Sequence, residues 1–147
     1  MTAIPTEQLI LLLNTLLEAE RAGAKVLAAF LDEYSQESSA WQQLHAVQHD
    51  EAHNCALLMQ ALRSCGAQPS SATGDFLGKA LAVQGRAERL TFLNRGQGWV
   101  ARKIGEQLPY IADGPVRQML SEMHDSHLVN IATCNDLVAH LSGADLS

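Results

Sequence analysis

Cysteine is scarce in this chain. Cys55, Cys65 and Cys134 are the only three, an odd number with no CxxC pair. That argues against a disulfide framework and suits free thiols in a reducing compartment, so a cytoplasmic protein is expected. Basic charge is also short: the net charge is −6, which gives no support for a nucleic-acid partner. No apolar run is long enough to span a bilayer. The best one, Leu9–Leu17, is broken by Asn14 and followed by Glu18 and Glu20, and no basic start or small-residue cleavage site marks a signal peptide. No membrane partner is expected. A phosphate loop is missing too. Residues 50–53 spell DEAH, but a helicase needs GxxxxGK[ST], and Gly74–Ala80 has the wrong spacing and no hydroxyl. Internal repeats and low-complexity segments are absent.

What remains is helical periodicity. The 147 residues are enough for one domain, residues 1–147, with a full core. Helix one is predicted from about Thr6 to Tyr34, where Leu9, Leu13, Leu16, Glu20, Gly23, Leu27, Phe30 and Tyr34 form a seam in steps of three and four. Helix two covers Trp41–Leu62 and stops near Cys65-Gly66. The polar link Ser35–Ala40 is short, so these two helices are antiparallel neighbours. Ala67–Asp75 is the one real loop. A short helical piece over Phe76–Ala82 and a third long helix to about Leu108 follow it. Asp113 and Pro115 start the fourth, Val116–Leu141. The expectation is an all-α antiparallel four-helix bundle with a crossover in the 66–83 region, between the second and third long helices.

The one dense acid–histidine cluster, His49, Asp50, Glu51, Ala52 and His53, lies on helix two. Its spacing has three readings. His49-Asp50 with His53 is one residue type from the zinc-hydrolase pattern HExxH. Asp50–His53 and Glu51–Asn54 each have the acid-x-x-ligand step of metal-binding bundles. Helical phase chooses between them. Leu44, Val47, Cys55, Leu58 and Leu62 share one face, and at ~100° per residue Glu51 sits near its centre, with Asn54 about 60° aside. His45, His49 and His53 form a stripe on another face, suited to solvent or an oligomer contact. A carboxylate in an apolar stripe is costly unless it is paired or bound to a metal.

Other inward polar residues match in height within each hairpin, and all share one level if the two hairpins stack level. Glu20 lies in the seam of helix one, while Glu18 lies off it. Gln97 is central on helix three, flanked by Gly96 and Gly98, and Glu88 points away. His127 is in the seam of helix four, with His124 on its flank. Counted outward from the two hairpin turns, Glu20 meets Glu51, and Gln97 meets His124–His127. Two glycines mid-helix cost ~1 kcal/mol each relative to alanine, which predicts a close approach or irregularity there.

The phrases LLNTLLEAERAGAKVL, HDEAHNCALLM, RLTFLNRGQGWVARKI and MLSEMHDSHLVNI resemble a bacterial ferritin-like family described only as a domain of unknown function. The likeness covers about Leu9 to Leu137. Ferritin-like proteins supply one Glu from each of two helices and Glu-x-x-His from each of the other two. Glu20 and Glu51 match two of the acids and His127 one His. Asn54 stands for a His, Gln97 for a Glu and His124 for a Glu. The resemblance implies a metal set of Glu20, Glu51 and His127, extended by His124. It suits one divalent ion, iron first and manganese or zinc next, or a weakly held pair. A ferritin-like metal-binding protein, an oxidoreductase of unknown substrate and a homo-oligomer such as a dimer, is the leading expectation. A metal-free interaction or structural bundle is the second, and a zinc hydrolase built on His49, Asp50 and His53 the third.

Overall fold

A computed structural model of the chain describes residues 2–146, with side chains through residue 142. All the regular structure is helical: α1 (Thr6–Leu31), α2 (Ser39–Ser64), α3 (Phe76–Ala82), α4 (Arg86–Gln107), a single 3₁₀ turn (Leu108–Tyr110) and α5 (Gly114–Leu146). No strand is present among the described residues. No helix among them is long and apolar enough to cross a membrane.

The helix ends follow from local hydrogen bonding. Helix α2 starts at Ser39, two residues before the expected Trp41, because Ser38 Oγ accepts the Trp41 N–H at 3.1 Å. Helix α1 stops at Leu31 rather than Tyr34. The N–H groups of Glu33 and Tyr34 donate to the carbonyls of Phe30 and Leu31 at 3.0 and 3.1 Å, tightening the last turn. Tyr34 stays buried beyond it. At the end of α2, Gly66 takes φ 77°, the Gly66 N–H donates to the Arg63 carbonyl, and the Ala67 N–H donates to that of Leu62. This double closure is a Schellman motif, which needs a left-handed residue after the helix. Asp113 Oδ1 accepts the Val116 N–H at 3.0 Å and opens α5.

Two apolar clusters fill the interior. One joins Leu9–Leu17 of α1 with Cys55–Leu62 of α2, Val100 and Ile104 of α4, and Val116–Met123 of α5. The other joins Val26–Leu31 with Leu44 and Val47, Leu90 and Leu93, and Cys134 and Leu137. The start of α1 thus meets the end of α2, and the end of α4 meets the start of α5, so both neighbouring pairs run antiparallel. Between the clusters lies a layer of buried polar residues: Glu20, Glu51, Asn54, Gln97, His127 and Asn130.

The link from α2 to α4 is strapped down at both ends. Asn14 Oδ1 accepts the Ser70 N–H at 2.8 Å, and Arg21 donates to the Ala72 carbonyl at 2.9 Å. Arg89 donates to the carbonyls of Val83 and Leu81 and pairs with Glu33. Nothing in the sequence spacing marks Arg89 for this role. The straps seat Phe76 of α3 against Gly96, where a Cβ would come within 3.0 Å of the ring. The close approach expected at the mid-helix glycines is thus made at Gly96. Gly98 faces only the tip of Arg102.

Gly66 has open space around its Cα, so conformation alone decides what a side chain there costs. Gly66→Ala is expected to destabilise by ~1–2 kcal/mol, the penalty of left-handed backbone. A urea titration would measure it, and an unchanged midpoint would show that the Schellman closure contributes nothing.

Candidate metal centre

Three helices each deliver one inward side chain capable of binding a metal. Glu20 of α1, Glu51 of α2 and His127 of α5 are all buried, and each offers an atom within 4.8 Å of the others. Two ligands sharing an ion at ~2.1 Å in tetrahedral geometry lie about 3.4 Å apart, so the side chains would draw in by about an ångström to hold one. No other group of three or more His, Cys, Asp or Glu converges in this way among the described residues.

The hydrogen bonds around the three residues orient them. Asn54 Nδ2 donates to Glu20 Oε1 at 3.0 Å. His127 Nδ1 lies 3.0 Å from the Met123 carbonyl, which can only accept, so Nδ1 carries a proton. The lone pair of the neutral ring then sits on Nε2, the arrangement seen in metal-binding histidines. Nε2 is 3.1 Å from Glu20 Oε1, close enough for an ion pair. The oxygen lies off the ring-nitrogen axis, however, and Nε2 has no hydrogen-bond partner. Glu51 Oε2 and Gln97 Oε1 are also buried without partners. Buried polar atoms are normally satisfied, so three orphans in one layer make a place that a cation or a donor would suit.

Electrostatics favour protons on two of the three groups. Burial, and then the negative charge of Glu20, hold the Glu51 carboxyl well above the ordinary value of 4.5. For His127, burial opposes the charged form, but the closeness and charge of Glu20 outweigh it and raise the pKa above 6.5. Burial pushes the Cys55 and Cys134 thiols up to about 11, so neither is an activated nucleophile.

The remaining sequence candidates lie elsewhere. His124 stands outside the group: it is half-buried, with Nδ1 3.3 Å from Asp125 Oδ1 and its ring beside Gly105. It sits on the flank of α5, about 60° from His127, with its ring against Gly105 of α4 and its Nδ1 toward Asp125. His45, His49 and His53 are exposed, and His45 stacks on Trp41. Asp50 is half-buried and accepts from Asn130 Nδ2 at 3.3 Å, so His49, Asp50 and His53 do not converge. Asn54 and Gln97 both lie in the buried layer, Asn54 on Glu20 and Gln97 on Asn94.

Two features escape the sequence spacing. Gly23 was readable as a seam residue, but not as a slot. A Cβ there would overlap Glu51 Oε2, so its bare backbone makes room for the carboxylate. The second is a partly open cavity of about 290 Å³ over the three ligands, walled by Gly23, Leu93, Gly96 and Val100, with Phe76 and Trp99 beside them. Glu18, which the helical phase sends to the surface, is half-buried on its wall.

A family model described as a domain of unknown function, DUF6306, matches residues 7–136. The chain belongs to that family. The DUF6306 match takes in all three ligands and Gln97, Gly23 and Trp99. No curated protein and no solved structure matches the chain.

Two outcomes are expected. Gly23→Ala should displace the Glu51 carboxylate and cost ~1–3 kcal/mol, exceeding the ~1 kcal/mol that alanine contributes within a helix. Gly98→Ala, where a Cβ would make only ordinary contact with the tip of Arg102, should be neutral or stabilising. Equal effects in denaturant titrations would refute the slot. The second concerns pH. A raised folded-state pKa carries stability that is complete below the unfolded value, 4.5 for Glu51 and 6.5 for His127, and is lost as pH rises through the folded one. Gln at position 51 cannot ionise. In chelator-treated protein the Tm advantage of Glu51→Gln over wild type should therefore widen from pH 5 to pH 8, by about 3 °C or more. A gap independent of pH would mean that Glu51 titrates normally.

Proposed function

We propose that this DUF6306 chain is a ferritin-like metal-binding protein, in which Glu20, Glu51 and His127 hold one divalent ion. The observation that carries this reading is the meeting of two buried carboxylates and a histidine whose ligand-capable Nε2 is left without a partner. The architecture proposed with it is an antiparallel four-helix bundle of α1, α2, α4 and α5, with the crossover running through α3.

The donor set fits a hard to borderline cation. Two carboxylates cancel a double positive charge, and a neutral imidazole completes three protein ligands. Three protein ligands beside a cavity leave a coordination position open, as catalytic rather than structural sites do. Iron is the first choice, with manganese and zinc also suited. Bound iron or manganese would supply redox chemistry, which makes an oxidoreductase the enzyme class favoured here. This chain's own residues set the conditions. Met123 fixes the tautomer of His127, Asn54 holds Glu20, Gly23 seats Glu51, and the apolar walls limit water. With two central carboxylates rather than four, a single ion is favoured over a charge-balanced pair.

The test combines metal analysis of protein purified without a chelating tag with thermal melts. A ligand at a hundredfold excess over Kd stabilises by ~2.7 kcal/mol, or about 5–10 °C in a chain of this length. The wild type should lose that increment with chelator, and Glu51→Gln should melt alike with and without it. A wild-type melt indifferent to verified metal removal would leave a metal-free bundle. There His127 and Glu20 form an ion pair beside a protonated Glu51, a reading that the 3.1 Å approach also accommodates.

A further inference from the structure

The amide of Gln97 is held in one orientation by a chain of hydrogen bonds anchored on the backbone. The Ile131 carbonyl can only accept, and Asn94 Nδ2 donates to it at 3.0 Å and to Asn135 Oδ1 at 2.9 Å. Asn94 Oδ1 therefore faces the other way, and Gln97 Nε2 donates to it at 3.0 Å. A flipped Gln97 amide would set oxygen against oxygen. Oε1 is thus left over: it is buried and unpartnered, on a residue that lines the cavity. An unpaired buried carbonyl costs ~1–3 kcal/mol, so a donor seated in the cavity that Gln97 lines would be stabilised by pairing with it.

Apart from Gln97, Glu18, Thr73 and the Glu20, Glu51 and His127 group, the cavity lining is apolar. Ala22, Leu93, Val100, Phe76 and Trp99 provide carbon surface, and Trp99 is 40% exposed beside it. Its volume of about 290 Å³ is roughly twice the ~150 Å³ of an apolar cavity that takes benzene. A ring with a short substituent fits, and a polymer does not.

We propose that this cavity binds a small molecule with a ring-sized apolar body and one hydrogen-bond donor head, a hydroxyl or an amine, received by Gln97 Oε1. The inference names the substrate class of the proposed metal site and rests on that reading for its purpose. Binding through Gln97 does not itself require the ion. Gln97 acts as a specificity residue, selecting donors over molecules of equal shape, while the apolar walls accept either.

The experiment compares benzyl alcohol, benzylamine and ethylbenzene, which share a ring and nearly a shape. Affinities are measured by ligand-detected NMR titration on wild type and on Gln97→Leu, with and without chelator. The readout is the affinity ratio of each donor probe to ethylbenzene, which cancels general changes in packing. That ratio should fall about tenfold or more in Gln97→Leu. A fall with benzyl alcohol identifies the hydroxyl class, and a fall with benzylamine the amine class. A ratio unchanged for both probes, or no binding of any probe to wild type, overturns the proposal. Should Gln97→Leu fail to fold, Gln97→Met supports the same comparison. Ala19→Leu, which narrows the cavity, should weaken every probe. A ratio that falls while the wild-type melt ignores chelator would sink the metal reading alone. A chelator-sensitive melt with an unchanged ratio would sink only this one.

Discussion

Two buried carboxylates with oxygens within 4.8 Å of each other, between two apolar clusters, set the terms for this protein. Moving each from water costs several kcal/mol, and their mutual repulsion adds to that. The fold offsets part of the cost. Asn54 donates to Glu20, His127 approaches it, and burial with the charge of Glu20 favours a proton on Glu51. Glu51 Oε2 and His127 Nε2 still lack partners. A divalent cation would answer the repulsion and both orphan atoms at once, which no single neutral residue in the layer does.

The layer can carry that strain because it is framed. An apolar cluster lies on each side, and each draws on α1, α2, α4 and α5. The two short hairpin turns set the height at which the facing helices meet, so that one residue from each of three helices reaches the same point. Breaking one member would leave the others as uncompensated buried charge, which is more costly than the net worth of the group.

The cavity separates this layer from a purely structural polar network. A structural network is best closed and fully satisfied. Here the polar layer opens toward solvent through apolar walls, and a glycine, an alanine and a strapped loop keep the space clear. Gln97 donates to Asn94, and Asn94 donates to the α5 backbone and to Asn135, which leaves an acceptor in the layer. Site and opening are therefore built from the same stretches of α1 and α4.

Much of this was readable from one dimension. The 3.6-residue period located every long helix, because an apolar stripe records which face a helix buries. The same phase put Glu51 inside and His53 outside, and placed Glu20, Gln97 and His127 on inward seams. It also turned Glu18 outward, although Glu18 lies half-buried on the cavity wall. Helix ends were blurred, most at the end of α5, which runs to Leu146 rather than Leu141, since a cap depends on a hydrogen bond such as Ser38 to Trp41 as much as on residue type. What periodicity could not supply was distance between helices. His124 shares a helix with His127 but not its direction of approach, and that depends on how α5 is rotated against its neighbours. Gly23 became a slot only when Glu51 was packed against it. Arg89 became a strap only when the loop folded back to it. The cavity has no sequence pattern at all, because it is space left between elements, and only tertiary packing decides where space remains.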